Sequence, residues 1–171
     1  DPQQEFSQMM QAESKGIVSK DEIRQWLNPD ETLEEAEEKI KEIDCSWINS
    51  AIIAKKWAFA ADYIRLYALY NYGGIYLDCD VEVIKPFDNL LERSYFVGRE
   101  THKNVIEAAV IGAEPSLNWL KDALDWYESK EFNVTQLNNP AIAIPVILKN
   151  ILSKKSNVAI LPAEFFSPKD N

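Results

Sequence analysis

Two adjacent glycines, Gly73 and Gly74, divide the middle of the chain into two patterns of different period. The 25 residues before Gly73, INSAIIAKKWAFAADYIRLYALYNY, predict one long helix or two helices that meet near Lys55-Lys56. After the pair, an alternating pattern predicts a strand over 75–84, which ends at Lys85-Pro86. Because glycine readily adopts the positive φ that terminates a helix, we expect a sharp helix-to-strand corner.

The predicted strand carries its carboxylates on one face, because residues two apart on a strand face the same way. One face would consist of Ile75, Leu77, Cys79, Val81 and Val83, and the other of Tyr76, Asp78, Asp80 and Glu82. Solvent exposure is the simplest explanation of the acidic face. A strand preceded by a helix, however, tends to lie inside an α/β sheet with both faces covered. The alternative is a hard-cation site, in which two aspartates leave positions on Mg²⁺ or Mn²⁺ for phosphate oxygens and water.

Asp62 and Arg65 lie three residues apart on one face of the preceding helix. The pair can be an intrahelical ion pair, which contributes roughly 0.3 kcal/mol. Since the neighbouring residues are apolar or aromatic, the pair can equally face a ligand such as a group of sugar hydroxyls.

Composition excludes several classes of function. A formal net charge of −10 argues against nucleic-acid binding. His102 is the one histidine, which excludes sites that need two histidine ligands. The two cysteines, Cys45 and Cys79, form no disulfide framework, so a reducing, cytoplasmic location is expected. No apolar run approaches the about 18 residues of a transmembrane helix, and the N-terminus does not resemble a signal peptide.

The rest of the chain predicts alternating helices and strands, and therefore an α/β domain. Residues 1–46 are predicted to be a helical segment, with capping boxes at Ser19–Glu22 and Thr32–Glu35, and residues 47–171 the α/β domain. Strands are predicted at SYFVGR, VIEAAVIGA and NVAILP, and helices at PSLNWLKDALDWYES and NNPAIAIPVILKNIL.

Residues 58–91, AFAADYIRLYALYNYGGIYLDCDVEVIKPFDNLL, closely resemble a glycosyltransferase family whose sugar-binding region contains a DXD motif. The family includes the yeast initiating α-1,6-mannosyltransferase, bacterial capsular-polysaccharide glycosyltransferases and the catalytic core of clostridial glucosylating toxins. The resemblance implies a GT-A fold, a UDP- or GDP-sugar donor, Mn²⁺ or Mg²⁺, a glycan or polysaccharide acceptor and retention of anomeric configuration. It is also compatible with peripheral attachment to a membrane.

The resemblance also implies roles for individual residues. Asp78 would contact the donor's ribose and sugar, and Asp80, with Asp78, would hold the metal ion. Asp62, Arg65 and Tyr76 would contact the transferred sugar. Asn139, in a looser match near Asn139-Pro140, would be a further sugar contact. Asp78, Asp80 and Arg65 would together be the catalytic residues.

The sequence departs from the family at both ends. We find no base-binding strand before residue 50, and residues 169–171 lie where a closing C-terminal segment would begin, so the GT-A-like fold is expected to be incomplete at both places. An inactive glycosyltransferase-like fragment or interaction module is therefore the alternative function. A metal-dependent phosphohydrolase is a third, although it would need more carboxylates or histidines near Asp78 and Asp80.

Overall fold

The computed structural model describes residue 43 and residues 45–78, 80–101, 104–155 and 158–166. The described residues from Cys45 onward belong to one compact unit. Two predictions fall outside these ranges: the N-terminal helices with their capping boxes, and the place of Cys79 on the apolar face of the strand. They stay predictions, as does the domain boundary after residue 46.

Helices and strands alternate along the described part of the chain, which confirms the predicted α/β class. The helices are α1 (Ser46–Ile53), α2 (Trp57–Tyr72), α3 (Asn118–Glu128) and α4 (Ile144–Leu152). The strands are β1 (Gly74–Leu77), β2 (Tyr95–Arg99), β3 (Ile106–Ala113) and β4 (Ile160–Leu161). Short 3-10 turns occur at Asp88–Leu90, Val134–Gln136, Pro140–Ile142 and Ala163–Phe165.

The long helical pattern before the glycines forms two helices, and they meet at Lys55-Lys56 as predicted. Lys55 has a φ of 54°, which an α-helix does not contain. The amide of Lys56 then donates to the carbonyl of Ala51 at 2.8 Å. This break turns the chain so that α1 and α2 can pack against each other.

Trp47 in α1 joins the helices in one aromatic core. Its side chain is fully buried, and its indole N–H donates to the carbonyl of Phe59 in α2 at 3.0 Å. Its ring lies edge-on to Tyr127 at 5.1 Å and to Phe132 at 5.3 Å. This packing fixes the relative position of α2 and α3, which matters for the site described below.

Gly73 ends α2, as the sequence predicts. It has a φ of 67°, and its amide donates to the carbonyl of Leu69 at 2.9 Å. A Cβ at this position would lie 2.7 Å from Cδ of Pro115. Both the positive φ and the close contact require glycine, so the corner between α2 and β1 is tightly determined.

The described strands form one sheet in the order β1-β3-β2-β4. β3 pairs antiparallel with β1 and with β2, and β4 pairs parallel with β2. Among the described strands, β1 is therefore at an edge of the sheet, with Ile75 36% exposed. The expectation that this strand lies inside the sheet is wrong for the described residues.

The prediction of a strand over 75–84 is also wrong, because β1 ends at Leu77. The amide of Asp78 still donates to Ala109 in β3 at 2.8 Å. The amide of Val81 then donates back to the carbonyl of Asp78 at 3.0 Å, and this turn takes the chain away from β3. Asp80 therefore lies in the turn after β1, and the apolar alternation beyond it is not that of a strand.

Consecutive residues of β1 serve opposite faces of the sheet. Tyr76 faces α2, where its ring lies against Arg65. Leu77 packs on the other face with the buried cluster of Leu90, Phe96, Val110 and Leu161. β1 thus directs Tyr76 toward α2 and Leu77 into the core on the opposite face of the sheet.

The later elements agree with the sequence apart from the starts of two helices. Helix α4 begins at Ile144 rather than at Asn138, because the 3-10 turn Pro140–Ile142 precedes it. β2, β3 and β4 fall within their predicted segments, and Pro145 lies in the first turn of α4.

Helix α3 begins at Asn118 rather than at Pro115. The reason is Ser116, which has a φ of 62° and donates its amide to the carbonyl of Tyr70 at 2.7 Å.

Gly112 in β3 lies opposite Phe96, and a Cβ there would overlap the Phe96 ring. We expect Gly112→Ala to lower the free energy of unfolding by about 1–3 kcal/mol, because the ring must leave its packed position. Urea denaturation followed by circular dichroism measures this. Combining Gly112→Ala with Phe96→Leu should cost less than the two single substitutions added together; strict additivity would contradict the proposed overlap.

Candidate functional site

Helix α2 presents Asp62 and Arg65 on a buried face. Each residue is only 8% exposed, and Nη2 of Arg65 lies 3.2 Å from Oδ1 of Asp62. These are the buried charged residues of the described chain. Charged groups are almost never this buried unless they are paired. The structure therefore contains the intrahelical ion pair, and Arg65 makes further contacts outside its own helix.

Arg65 links α2 to both neighbouring strands. Its Nη1 donates to the carbonyl of Ala108 in β3 at 2.9 Å, and lies 3.0 Å from Oδ1 of Asp78 at the end of β1. Its guanidinium carbon lies 4.6 Å from the centre of the Tyr76 ring, a cation–π contact. One arginine therefore fixes the position of two carboxylates and an aromatic ring.

One oxygen of Asp78 takes part in both a hydrogen bond and an ion pair. The hydroxyl of Tyr76 donates to Oδ1 of Asp78 at 2.6 Å, and Arg65 contacts the same atom. The Asp78 side chain nevertheless remains 32% exposed. The contacts of Oδ1 fix the orientation of the carboxylate, and the described contacts leave Oδ2 without a partner.

Asp80 differs from Asp78 in its surroundings. It is exposed in the turn after β1. Among the described residues, no group of three histidine, cysteine or acidic side chains is arranged to hold a metal ion. Of the described residues, Asp78 and Asp80 are thus the two carboxylates considered as ligands of a cation. This donor set fits a hard divalent ion whose other positions are filled by phosphate oxygens and water.

The charge state of Asp62 is unusual. Burial raises the pKa of Asp62 to about 7, although the adjacent Arg65 guanidinium lowers it, and the Asp78 carboxylate adds to the rise. Asp62 therefore exchanges its proton near neutral pH. When Asp62 is protonated, the cluster contains one negative carboxylate, that of Asp78, beside Arg65. When Asp62 is ionised, it contains two, and a ligand bound next to Asp62 can shift this balance.

Tyr127 in α3 is a part of this region that the sequence did not indicate. Its side chain is fully buried, and its hydroxyl has no hydrogen-bond partner among the described residues. Burial and then the negative charge of Asp62 raise the pKa of Tyr127. In the sequence, Tyr127 is one apolar position of an amphipathic helix, and no spacing rule distinguishes it from its neighbours.

The structure places Asn139 differently from the other predicted residues. Asn139 is exposed and caps the 3-10 turn Pro140–Ile142, where its Oδ1 accepts from the amide of Ala141 at 3.0 Å. The contacts described above join Asp62, Arg65, Tyr76 and Asp78 in one cluster, which does not include Asn139. Its role as a sugar contact stays a prediction.

A groove of about 570 Å³ lies on the other face of the sheet from Arg65. The segment after Asp80, from Val81 to Phe87, forms one wall, and Glu164–Phe166 contributes to the other. Val110, from the core cluster that Leu77 joins, lies at its base. The arginine cluster is therefore separate from this groove.

The family model for the glycosyltransferase sugar-binding region containing the DXD motif matches residues 4–97, more than half of the chain. The chain belongs to this family. The match begins at residue 4, and therefore includes the N-terminal segment in which the sequence analysis found no likeness to the family.

One curated relative carries a similar segment. Glucan organizing enzyme 1 of Cryptococcus neoformans var. grubii serotype A (strain H99) is 50% identical over 46 residues. The matched segment is 27% of this chain and 13% of the relative, so the chain corresponds to a small part of that protein. No solved structure matches the chain. In the described part of the chain, no helix has both the length and the apolar character needed to cross a membrane.

Proposed function

We propose that this protein is a metal-dependent glycosyltransferase with a GT-A-like arrangement, which transfers a sugar from a UDP- or GDP-sugar to a glycan acceptor. The observation that carries the proposal is the Arg65 cluster. A buried arginine holds Asp62 and Asp78 with Tyr76 between helix and sheet, and the exposed Asp80 follows Asp78 by two residues. Membership of a sugar-binding family gives that cluster a ligand class.

Asp80, with the free oxygen of Asp78, would hold Mn²⁺ or Mg²⁺. When bound, the cation neutralises the charge that develops on a departing diphosphate. Asp78 is suited to this position because Arg65 and Tyr76 fix one of its oxygens. Asp80 is suited to it because its carboxylate is exposed and has no described partner to displace.

Asp62, Arg65 and Tyr76 would orient the sugar. A buried carboxylate accepts hydrogen bonds from sugar hydroxyls, and charge-assisted hydrogen bonds of this kind are the strong ones. Arg65 keeps the carboxylates of Asp62 and Asp78 at fixed positions, so the sugar meets a preorganised surface. Asn139 is a further candidate contact to the sugar.

The proposed acceptor is a polysaccharide, such as a capsular polysaccharide, or another glycan. The transfer is proposed to retain the anomeric configuration of the sugar. The proposed location is the cytoplasm. The name of the matching fungal relative refers to a glucan, which supports a polysaccharide acceptor.

The test is calorimetric titration of the protein with UDP, GDP and their sugar conjugates, in Mn²⁺ and in EDTA. We expect binding of one nucleotide in Mn²⁺ only, and tighter binding of one of its sugar conjugates. Slow release of free sugar from that conjugate would establish turnover. If no nucleotide binds in Mn²⁺, or if EDTA leaves binding unchanged, the proposed function is wrong.

A non-catalytic sugar-nucleotide-binding module is the second candidate. The segment shared with the fungal relative is 13% of that protein, so its likeness supports binding of a sugar without extending to the relative's activity. The same titration decides between the two candidates. Metal-dependent binding without hydrolysis or transfer, over a panel of glycan acceptors, would identify the module.

A further inference from the structure

Glu107 in β3 accepts a hydrogen bond at the level where β1 ends. The amide of Ala109 donates to Oε1 of Glu107 at 3.1 Å. The carbonyl of the same Ala109 accepts from the amide of Asp78 at 2.8 Å, and Asp78 directly follows the last residue of β1. The Glu107 carboxylate therefore binds the residue of β3 that lies opposite Asp78.

This contact replaces a bond that a continued sheet would contain. In an antiparallel pair that is hydrogen-bonded, the two opposite residues exchange both of their N–H···O bonds. Asp78 and Ala109 continue the register of β1 on β3, but the amide of Ala109 donates to Glu107. The carbonyl of Asp78 accepts from the amide of Val81 at 3.0 Å. The Glu107 carboxylate thus takes the place that the Asp78 carbonyl would have in a longer β1.

The exchange of partners determines where the turn begins. Because Glu107 satisfies the amide of Ala109, the carbonyl of Asp78 is available to Val81, and this bond closes the turn that contains Asp80. Buried backbone amides are nearly always paired. Without an acceptor at position 107, the half-buried Ala109 would therefore compete with Val81 for the Asp78 carbonyl, and β1 would extend.

The same segment of β3 also positions Arg65. The pairing of β2 with β3 skips residues 108–110, which form a bulge. Inside this bulge, the carbonyl of Ala108 accepts from Nη1 of Arg65 at 2.9 Å. Glu107 and Ala109, which are joined by their hydrogen bond, flank Ala108 on either side. The Glu107 carboxylate therefore supports both the contact to Arg65 and the contact to Asp78.

We propose that Glu107 is a positioning residue for the metal site, whose carboxylate ends β1 and sets the turn that carries Asp80. This inference rests on the proposed function, in which Asp78 and Asp80 hold the cation. In this role Glu107 acts through the backbone of Ala109 and touches neither the cation nor the substrate. The role requires an acceptor oxygen rather than a negative charge. Glutamine can therefore fill it, and methionine, which has a similar length, cannot.

The test compares Glu107→Met with Glu107→Gln by calorimetric titration with UDP and GDP in Mn²⁺. We expect Glu107→Met to bind the nucleotide about tenfold more weakly, since loss of a residue that orients a metal ligand costs about 10–100-fold in metal affinity. Glu107→Gln should recover most of this loss. Glu114→Ala, which removes an exposed carboxylate directly after β3, should bind like the wild type.

Three results would overturn the role of Glu107. The first is wild-type affinity in Glu107→Met. The second is a tenfold loss in Glu107→Gln, which would indicate charge rather than hydrogen bonding and decides the question even if Glu107→Met does not fold. The third is an equal loss in Glu114→Ala, which would indicate a general effect of charge.

Amide hydrogen exchange, measured by NMR without ligand, keeps the two proposals distinguishable. In the wild type, the amides of Val81 and Ala109 should both be protected, because each donates to an acceptor. In Glu107→Met, the Val81 amide should exchange about fivefold faster, as the net contribution of one hydrogen bond implies. Glu107→Gln should keep the protection of the wild type.

Wild-type protein that binds no nucleotide in Mn²⁺ would overturn the proposed function, and the exchange rates would still decide whether Glu107 sets the turn. An unprotected Val81 amide in the wild type would overturn the assignment of the turn to Glu107. Unchanged exchange of Val81 in Glu107→Met would do the same.

Discussion

Replacing Asp80 with alanine is expected to abolish the Mn²⁺-dependent binding of a nucleoside diphosphate and to leave the fold intact. Asp80 is exposed in the turn after β1, so its loss should change the free energy of unfolding by no more than about 0.5 kcal/mol. Its proposed role as a ligand of the metal ion, by contrast, cannot be taken over by another of the described residues. The described residues contain no third carboxylate, cysteine or histidine grouped with Asp78 and Asp80 to hold a cation.

The size of the expected loss follows from this sparse donor set. Loss of a partner that only orients a ligand costs about 10–100-fold in metal affinity, and loss of a ligand itself should cost more. Titration calorimetry with UDP and GDP in Mn²⁺ measures the change. Asp88→Ala is the matched control, since Asp88 is also an exposed aspartate in the segment after β1. Wild-type affinity in Asp80→Ala would remove the metal assignment, and an equal loss in Asp88→Ala would indicate a general effect of charge.

The sequence predicted the parts of this site that depend on local rules. Gly73 indicated the corner because a positive φ limits the choice of residue, and the structure has φ of 67° there. The i, i+3 spacing of Asp62 and Arg65 put both on one helix face, where they form an ion pair. These inferences needed no knowledge of what packs against the helix.

The parts that failed depend on contacts between distant segments. The alternation beyond Leu77 looked like a strand, but the hydrogen bond from Val81 to Asp78 ends the pairing with β3. The third partner of Arg65, the carbonyl of Ala108, is a backbone group that no side-chain pattern marks. Tyr127 contacts Tyr63 only because α2 and α3 pack together, and the apolar stripe of one helix does not show which residue of another helix it will meet.

Arg65→Ala is expected to have the largest effect on stability of any substitution in the site. Removing one member of a buried ion pair typically costs about 3–5 kcal/mol, because the other charge remains buried without a partner. Here the carboxylate of Asp62 would lose its cation and the carbonyl of Ala108 would lose its donor. Since domains of this size are stable by only about 5–15 kcal/mol, this loss would remove a large share of the free energy of unfolding.

The dependence of this loss on pH follows from Asp62. Its folded pKa, about 7, lies above its unfolded value of 3.8, so the folded state binds the proton more tightly. This group therefore makes the wild type less stable as pH rises from about 4 to about 7, with no further change above that range. Arg65 lowers the pKa of Asp62, so Arg65→Ala should raise that pKa and extend the decline to higher pH. Urea denaturation of both proteins at pH 5 and pH 9 should thus show a larger difference at pH 9.

A double variant separates the charge from the packing. Replacing both members of a buried ion pair by uncharged groups of similar volume is often neutral, whereas replacing one is not. We therefore expect Asp62→Asn combined with Arg65→Met to be more stable than Arg65→Met alone at pH 9. Asp62 is ionised at pH 9 in the wild type. If the free energies of unfolding of Arg65→Ala and Arg65→Met at this pH lie within about 1 kcal/mol of the wild-type value, the guanidinium does not neutralise Asp62. In that case, the packing of α2 on β1 and β3 would fix the side-chain positions in the cluster. The role of Arg65 would then be to bind the ligand.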